Sequence, residues 1–207
     1  MTVMIFVRHG QIRANKKGLW HGSTDSSLTL KGHYQAARTA KHLANKQSIT
    51  KIYSSPLKRC VNTARHISKS IKIPILIDEN IREYAIGDWE GLPFKVLQEK
   101  YDFVNRVQAD PDFRPPNGES LKGVSDRMSS FIDRVREDNN RQQRGDILIV
   151  SHGAAISVAL AKEVDHTCTA WMKYHISNCS ITELQFLPDA VLTKFNEVSH
   201  LRLRSPI

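Results

Sequence analysis

Apolar positions along this chain follow two periods. Val3-Met4-Ile5-Phe6-Val7 and Ile147-Leu148-Ile149-Val150 are short unbroken apolar runs rich in β-branched side chains. Such runs read as strands of a parallel sheet buried on both faces. Residues 49–53 read as another strand, and residues 73–77 as a further one that Pro74 assigns to an edge, because proline cannot donate to a ladder. Between the strands the spacing is helical. Ala36, Ala37, Ala40 and Leu43 mark the inner face of a helix over about 30–46, with Thr29 as its cap. A second helix follows Ser54-Ser55-Pro56, with the proline in an initial position, and runs to about residue 70. Leu121, Val124, Met128, Phe131, Ile132 and Val135 recur at steps of three and four, predicting a long amphipathic helix over about 119–138. Residues 146–150 form a core strand, 154–162 a buried helix, and 180–187 with 190–197 a hairpin around Pro188-Asp189.

Two stretches break the alternation. The chain from Gly10 to Ser27 is a long polar loop. Residues 84–118 carry helical patterns as far as Val107 and then proline-rich connections, which makes them an insertion or cap. The fold expected is a single α/β domain over residues 1–207: a three-layer α/β/α sandwich with a mostly parallel central sheet and a mid-chain helical insertion.

Composition changes this picture little, and charge changes it more. With 40% hydrophobic and 25% charged residues, the 207-residue chain has the make-up of an ordinary globular domain. No apolar stretch approaches the roughly 20 residues a bilayer requires, so no membrane partner is expected. The first apolar run begins at residue 3 with no basic segment before it, and reads as a strand rather than a leader. Cys60, Cys168 and Cys179 form no paired framework and no C-x-x-C motif, which favours a reducing, cytoplasmic setting.

The net charge of +9 is uneven: residues 1–77 hold 14 Lys and Arg against one acid, Asp25, while the remainder holds 16 against 20. A basic third draws anions. No helix-turn-helix, zinc-ligand or RNP-like pattern accompanies it, so nucleic acid is not expected. The anion expected is a small phosphorylated substrate. Beyond that substrate, only a homodimer is left open.

Four places set reactive or phosphate-binding groups at a strand end or in a loop: Arg8-His9-Gly10, Arg59, Glu83 and His152-Gly153. In open α/β sheets ligands bind beyond the carboxyl ends of strands. Each place alone has a bland explanation, such as a packed histidine, a surface arginine, a solvated Arg82–Glu83 pair or a tight turn. Together, and in this order, they need a chemical one.

Six segments carry a resemblance to the histidine phosphatase superfamily, the phosphoglycerate mutase-like group. They are Arg8-His9-Gly10-Gln11 with Asn15; Gly18-Leu19-Trp20-His21-Gly22 with Asp25-Ser26-Ser27-Leu28-Thr29; Ser54-Ser55-Pro56-Leu57-Lys58-Arg59-Cys60 with Thr63-Ala64; Arg82-Glu83 with Gly87-Asp88-Trp89-Glu90-Gly91; Pro116-Asn117-Gly118-Glu119-Ser120; and Val150-Ser151-His152-Gly153. The resemblance implies that His9 is a nucleophile that becomes a phosphohistidine and that Glu83 is the general acid and then the base. It also implies that Arg8, Gln11, Asn15, His21, Gly22, Arg59, His152 and Gly153 bind substrate or phosphate.

The chemistry agrees. Imidazole is substantially neutral near pH 7 and so nucleophilic. Phosphoryl transfer is served chiefly by cations around the equatorial oxygens. Arginines suit this by multidentate donation, and a protonated His152 would add a third cation. Glu83 needs its proton near neutrality, which a neighbouring phosphate dianion favours. No metal and no cofactor are expected, since neither a zinc-ligand motif nor a P-loop is present.

Ile12 stands where similar proteins commonly have Thr or Ser, and His21 where they often have Gln, Thr or Cys. Both departures bear on leaving-group specificity. His33, His42, His66, His166 and His200 are expected to be structural or exposed, whereas His175 precedes a segment, Asn178-Cys179-Ser180, that resembles a turn near the site. The compact 110–120 connection resembles the phosphatase branch, so the activity expected is hydrolysis of a small phosphomonoester. The alternative is cofactor-dependent mutase-type transfer; a phosphoprotein phosphatase or a non-catalytic phosphate-binding module ranks lower.

Overall fold

The two central apolar runs lie side by side. In a computed structural model that describes residues 3–46, 48–141, 145–187 and 189–202, β1 (Val3–Arg8) pairs in parallel with β4 (Asp146–Ser151), Val7 opposite Val150 and Arg8 opposite Ser151. β2 (Ile49–Ser54) pairs in parallel with the other side of β4, and the short β3 (Ile75–Ile77) closes that edge. On the far side of β1 the hairpin β5 (Ile181–Phe186) and β6 (Ala190–Glu197) adds two antiparallel strands, giving the order β3-β2-β4-β1-β5-β6. The sheet is thus mostly parallel, with Pro74 just outside the edge strand. Pro188, at the expected hairpin tip, lies outside the described residues.

Strand periodicity divides the core in two. Ile5, Val7, Ile52, Leu148 and Val150 face α2 (Leu30–Leu43) and α3 (Lys58–Ile71), whereas Met4, Phe6, Tyr53, Ile147 and Ile149 face α6 (Leu121–Arg141) and α7 (Gly153–Asp165). All six residues of the long amphipathic stripe are buried. Into that second core also pack Leu97 of α4 (Phe94–Tyr101) and Phe103 and Val107 of α5 (Phe103–Ala109), so the 84–118 segment shares its apolar interior with the sheet.

Several expectations need correcting. The first loop contains a helical turn, α1 (Arg13–Lys17). Its cap is the Asn15 carboxamide oxygen, which accepts the Ile12 N–H at 3.1 Å. Thr29 does cap α2, accepting from Gly32 N at 3.1 Å, but Ala37 is exposed because the buried face there is shared by Gly32, Ala36, Thr39, Ala40 and Leu43. Pro56 precedes α3 instead of sitting in its first turn. The helix begins at Lys58, whose N–H is accepted at 2.8 Å by Asp25, the one acid of the basic N-terminal third. A carboxylate at a helix N-terminus meets both the unpaired donors and the positive end of the dipole.

Candidate active site

β1 and β4 end together, so Arg8, His9, Ser151 and His152 emerge at one edge of the sheet, where His9 N–H donates to the Ser151 carbonyl at 3.0 Å. A cavity of about 420 Å³ opens there, lined among others by Arg8, His9, Asn15, His21, Glu83 and Gly153. Six of the ten residues singled out from the sequence therefore share one concave space. The others stand behind or beside it.

His9 is buried, and its Nδ1 lies 2.8 Å from the carbonyl oxygen of Gly10. A carbonyl only accepts, so Nδ1 carries the proton and Nε2 presents a lone pair. Burial, then Arg8 and Arg59, hold the His9 pKa well below the ordinary imidazole value. The ring is a neutral base with one bare nitrogen.

Arg8 donates through Nη1 to the Ile176 carbonyl, and its Nε is buried without a protein partner. Gly153 is small because Arg8 passes over it: a Cβ there would lie 3.2 Å from Cζ of the guanidinium. Asn15 accepts at Oδ1 from Ile12 N and from Asn178 Nδ2, each at 3.1 Å, which leaves its amide N–H groups as the donors for the cavity. The Asn178 amide also donates to the His9 carbonyl at 3.0 Å. Asn178 and His175 both line the cavity, as their nearness to the 178–180 turn implied.

Glu83 is held entirely by backbone. Oε1 accepts from Tyr84 N and Ala155 N, both at 2.9 Å, and Oε2 from Ala154 N at 3.3 Å. Ala154 and Ala155 belong to the first turn of α7, whose dipole and unpaired N–H groups fix a carboxylate in place. The loop bearing Glu83 is fastened in turn by Arg127 of α6. Its guanidinium donates to the carbonyls of Asn80, Arg82 and Glu83 and forms a two-point pair with Glu119, at 3.1 and 3.0 Å. Arg127 was not visible as important in the sequence, since it stands on a polar stretch of an ordinary amphipathic helix. Arg127→Met is expected to cost about 2–4 kcal/mol, because it strands a half-buried Glu119 and three carbonyls. Denaturant melts check this, and a loss under about 0.5 kcal/mol would mean that the clamp is idle.

Arg59 and His152 correct the sequence reading. The fully buried Arg59 donates from Nε to His152 Nδ1 at 3.1 Å, from Nη1 to the Thr24 carbonyl at 2.7 Å, and from Nη2 to the His21 and Gly22 carbonyls at 3.1 and 2.7 Å. Four of its five N–H groups are thus engaged inside the protein, leaving one where multidentate phosphate binding was expected. His152 accepts at Nδ1, so its proton is on Nε2, 2.8 Å from the Ser55 hydroxyl. Burial, Arg59 and then His9 hold its pKa well below the ordinary value. It is neutral, not the third cation expected. Its ring meets that of His9 edge-on at 5.3 Å.

Gln11 also departs from expectation. Its side-chain oxygen accepts from the Thr29 hydroxyl at 3.1 Å, so it faces the start of α2 and not the cavity. Gly22 is a packing residue, since a Cβ would fall 2.5 Å from the Tyr84 carbonyl. Glu90 holds the same loop, accepting from Ser23 N at 2.6 Å and Thr24 N at 2.9 Å. Ile12 is buried against Ala14, Leu28 and Ala36, and His21 is half-buried with Nδ1 unpartnered. The remaining histidines are as expected: His33, His42 and His166 are exposed, His66 is half-buried beside His33, and His200 is buried against Thr39. Among the described residues no three His, Cys, Asp or Glu side chains converge as a metal-binding group.

Two buried neutral histidines give the fold a pH signature. In the unfolded chain each binds a proton near pH 6.5, whereas the folded protein refuses it until far lower pH. Stability is therefore full above about pH 6.5 and falls below it by up to about 1.4 kcal/mol per pH unit for each histidine. Melting curves from neutral to mildly acidic pH should show the loss, and His152→Gln should flatten it. An unchanged slope in that variant would contradict a neutral His152.

A profile of the histidine phosphatase superfamily, branch 1, matches residues 4–197. The chain belongs to that superfamily. This histidine phosphatase is 35% identical over 158 residues to phosphoglycerate mutase-like protein 4 of Arabidopsis thaliana, covering 74% of this chain and 67% of the relative. Its fold superposes on the phosphoserine phosphatase of Entamoeba histolytica crystallised with 3-phosphoglyceric acid, with a TM-score of 0.85 and 30% identity over 98% of this chain and 100% of the other. The alpha-ribazole phosphatase of Shigella flexneri gives a TM-score of 0.79 and 26% identity, over 94% and 96% of the two chains. The fold class and the family inferred from the six segments are both borne out.

Proposed function

We propose that this protein is a metal-independent phosphomonoesterase acting on a small phosphorylated metabolite through a phosphohistidine on His9. The observation that carries the reading is the tautomer of His9. Its Nδ1 proton is committed to the Gly10 carbonyl, and Nε2 is bare in a cavity shared with Arg8 and Glu83.

In the first step the Nε2 lone pair attacks phosphorus. The ester P–O bond breaks, and the departing oxygen takes a proton from Glu83. In the second step water gives its proton to Glu83 and attacks phosphorus, the P–N bond breaks, and inorganic phosphate leaves a neutral His9. Arg8, the Asn15 amide and the remaining N–H of Arg59 meet the phosphoryl oxygens. His152 serves by orienting Arg59. The free cysteines, two of them buried, support a reducing, cytoplasmic setting.

The test is a panel of phosphorylated metabolites assayed for phosphate release with wild type and His9→Ala in parallel. Hydrolysis by wild type alone is expected. The relationship to a mutase-like plant protein supports a second reading, in which the phosphohistidine is intercepted by a substrate hydroxyl. Isomer forming faster than free phosphate from 3-phosphoglycerate and bisphosphoglycerate would establish it.

A further inference from the structure

The cavity has two unlike ends. The charged groups gather at the sheet edge, whereas the outer wall is made by Leu19, Trp20, Phe94, Trp171, Met172 and Tyr174. The rings of Trp20 and Phe94 lie within 20° of parallel with centroids 6.0 Å apart, and Trp171 meets Trp20 edge-on at 6.3 Å. Three polar groups along this wall are committed elsewhere. Trp20 Nε1 donates to the Tyr84 carbonyl at 3.1 Å, Tyr174 OH donates to Asp165 at 2.9 Å, and the nearby Ser157 hydroxyl donates to the Gly153 carbonyl at 2.8 Å. Trp171 Nε1 is buried without a protein partner, and the rest of the wall is hydrocarbon and ring surface.

Arg8 is the one Lys or Arg among the described lining residues, and it stands at the phosphate end. His175 is exposed at the rim, and burial and Arg59 hold the His21 pKa below its usual value. A carboxylate on the leaving group would therefore lose water and meet no Lys or Arg beyond Arg8, whereas a flat apolar group would gain contact area.

We propose that the outer half of the cavity selects phosphomonoesters whose leaving alcohol is uncharged, apolar and flat, and rejects those bearing a carboxylate. This rests on the phosphomonoesterase reading and narrows it. It also sets the chain apart from its Entamoeba relative, which was captured with 3-phosphoglyceric acid.

The experiment compares 2-phenylethyl phosphate with O-phospho-L-serine and 3-phosphoglycerate. All three are esters of primary alcohols, so differences between them report chiefly recognition. Wild type is expected to show kcat/KM at least about 30-fold higher for the phenylethyl ester. Met172→Arg places a cation on an exposed wall position and should narrow that ratio about tenfold or more by raising activity on the two carboxylates. Phe94→Leu keeps an apolar wall without the ring and should lower activity on the phenylethyl ester alone. Equal or reversed preference in wild type overturns the proposal, as does a ratio unmoved by Met172→Arg.

Calorimetry on His9→Ala separates this from the chemistry. If no ester is turned over and the variant still binds 2-phenylethyl phosphate about 30-fold tighter than phosphoserine, the selection stands and the hydrolase reading falls. Equal binding overturns the selection.

Discussion

Replacing His9 with alanine is expected to lower kcat/KM for any phosphomonoester by about 10⁴-fold or more, because the covalent route loses its acceptor and the cationic surroundings alone catalyse poorly. The ring is buried but small, and its one protein hydrogen bond is to the adjacent carbonyl. The variant should therefore fold and still bind inorganic phosphate, which calorimetry can verify. Wild type quenched in alkali should carry a phosphoryl group that persists in base and is lost on acidification, and the variant should carry none. Residual turnover above about a hundredth of wild type would move the nucleophile to another residue.

Glu83→Gln is the second large effect. It keeps the shape of the side chain and one acceptor oxygen for the α7 amides but removes the transferable proton. The loss should depend on the leaving group: about 10²–10⁴-fold on an alkyl ester, whose oxygen cannot depart unprotonated, and far less on p-nitrophenyl phosphate, whose oxygen needs little help. Steady-state rates on the two esters decide it. An equal loss on both would assign Glu83 to positioning and not to proton transfer.

What could be read from the chain, and what could not, divides along physical lines. The ends of β1 and β4 were legible because an apolar run stopping at Arg8-His9-Gly10, or at Ser151-His152-Gly153, is a local pattern. The stripe of α6 was legible for the same reason. Arg59 was visible as a residue, but the direction of its donors was not. Its partners are carbonyls of residues 21, 22 and 24, and loop backbone positions leave no trace in side-chain type. The neutrality of His152 follows from that same arrangement. Asp25 as the cap of α3, and Arg127 as the fastening of residues 80–83, act across more than thirty residues of sequence. The aromatic wall was missed because Trp20, Phe94 and Trp171 come from three remote segments that share no period.

That origin has a consequence for how such a protein diversifies. Arg8 and His9 leave the end of β1, Arg59 is buried in α3 behind His152 at the end of β4, and Glu83 is pinned by the first turn of α7. The aromatic residues beyond them sit in the irregular chain after α1, at the start of α4 and in the 3₁₀ segment Cys168–Lys173, none of which contributes a strand. Swapping those three peripheral pieces between relatives should therefore transplant a taste for one alcohol over another while the engine beneath runs on unchanged.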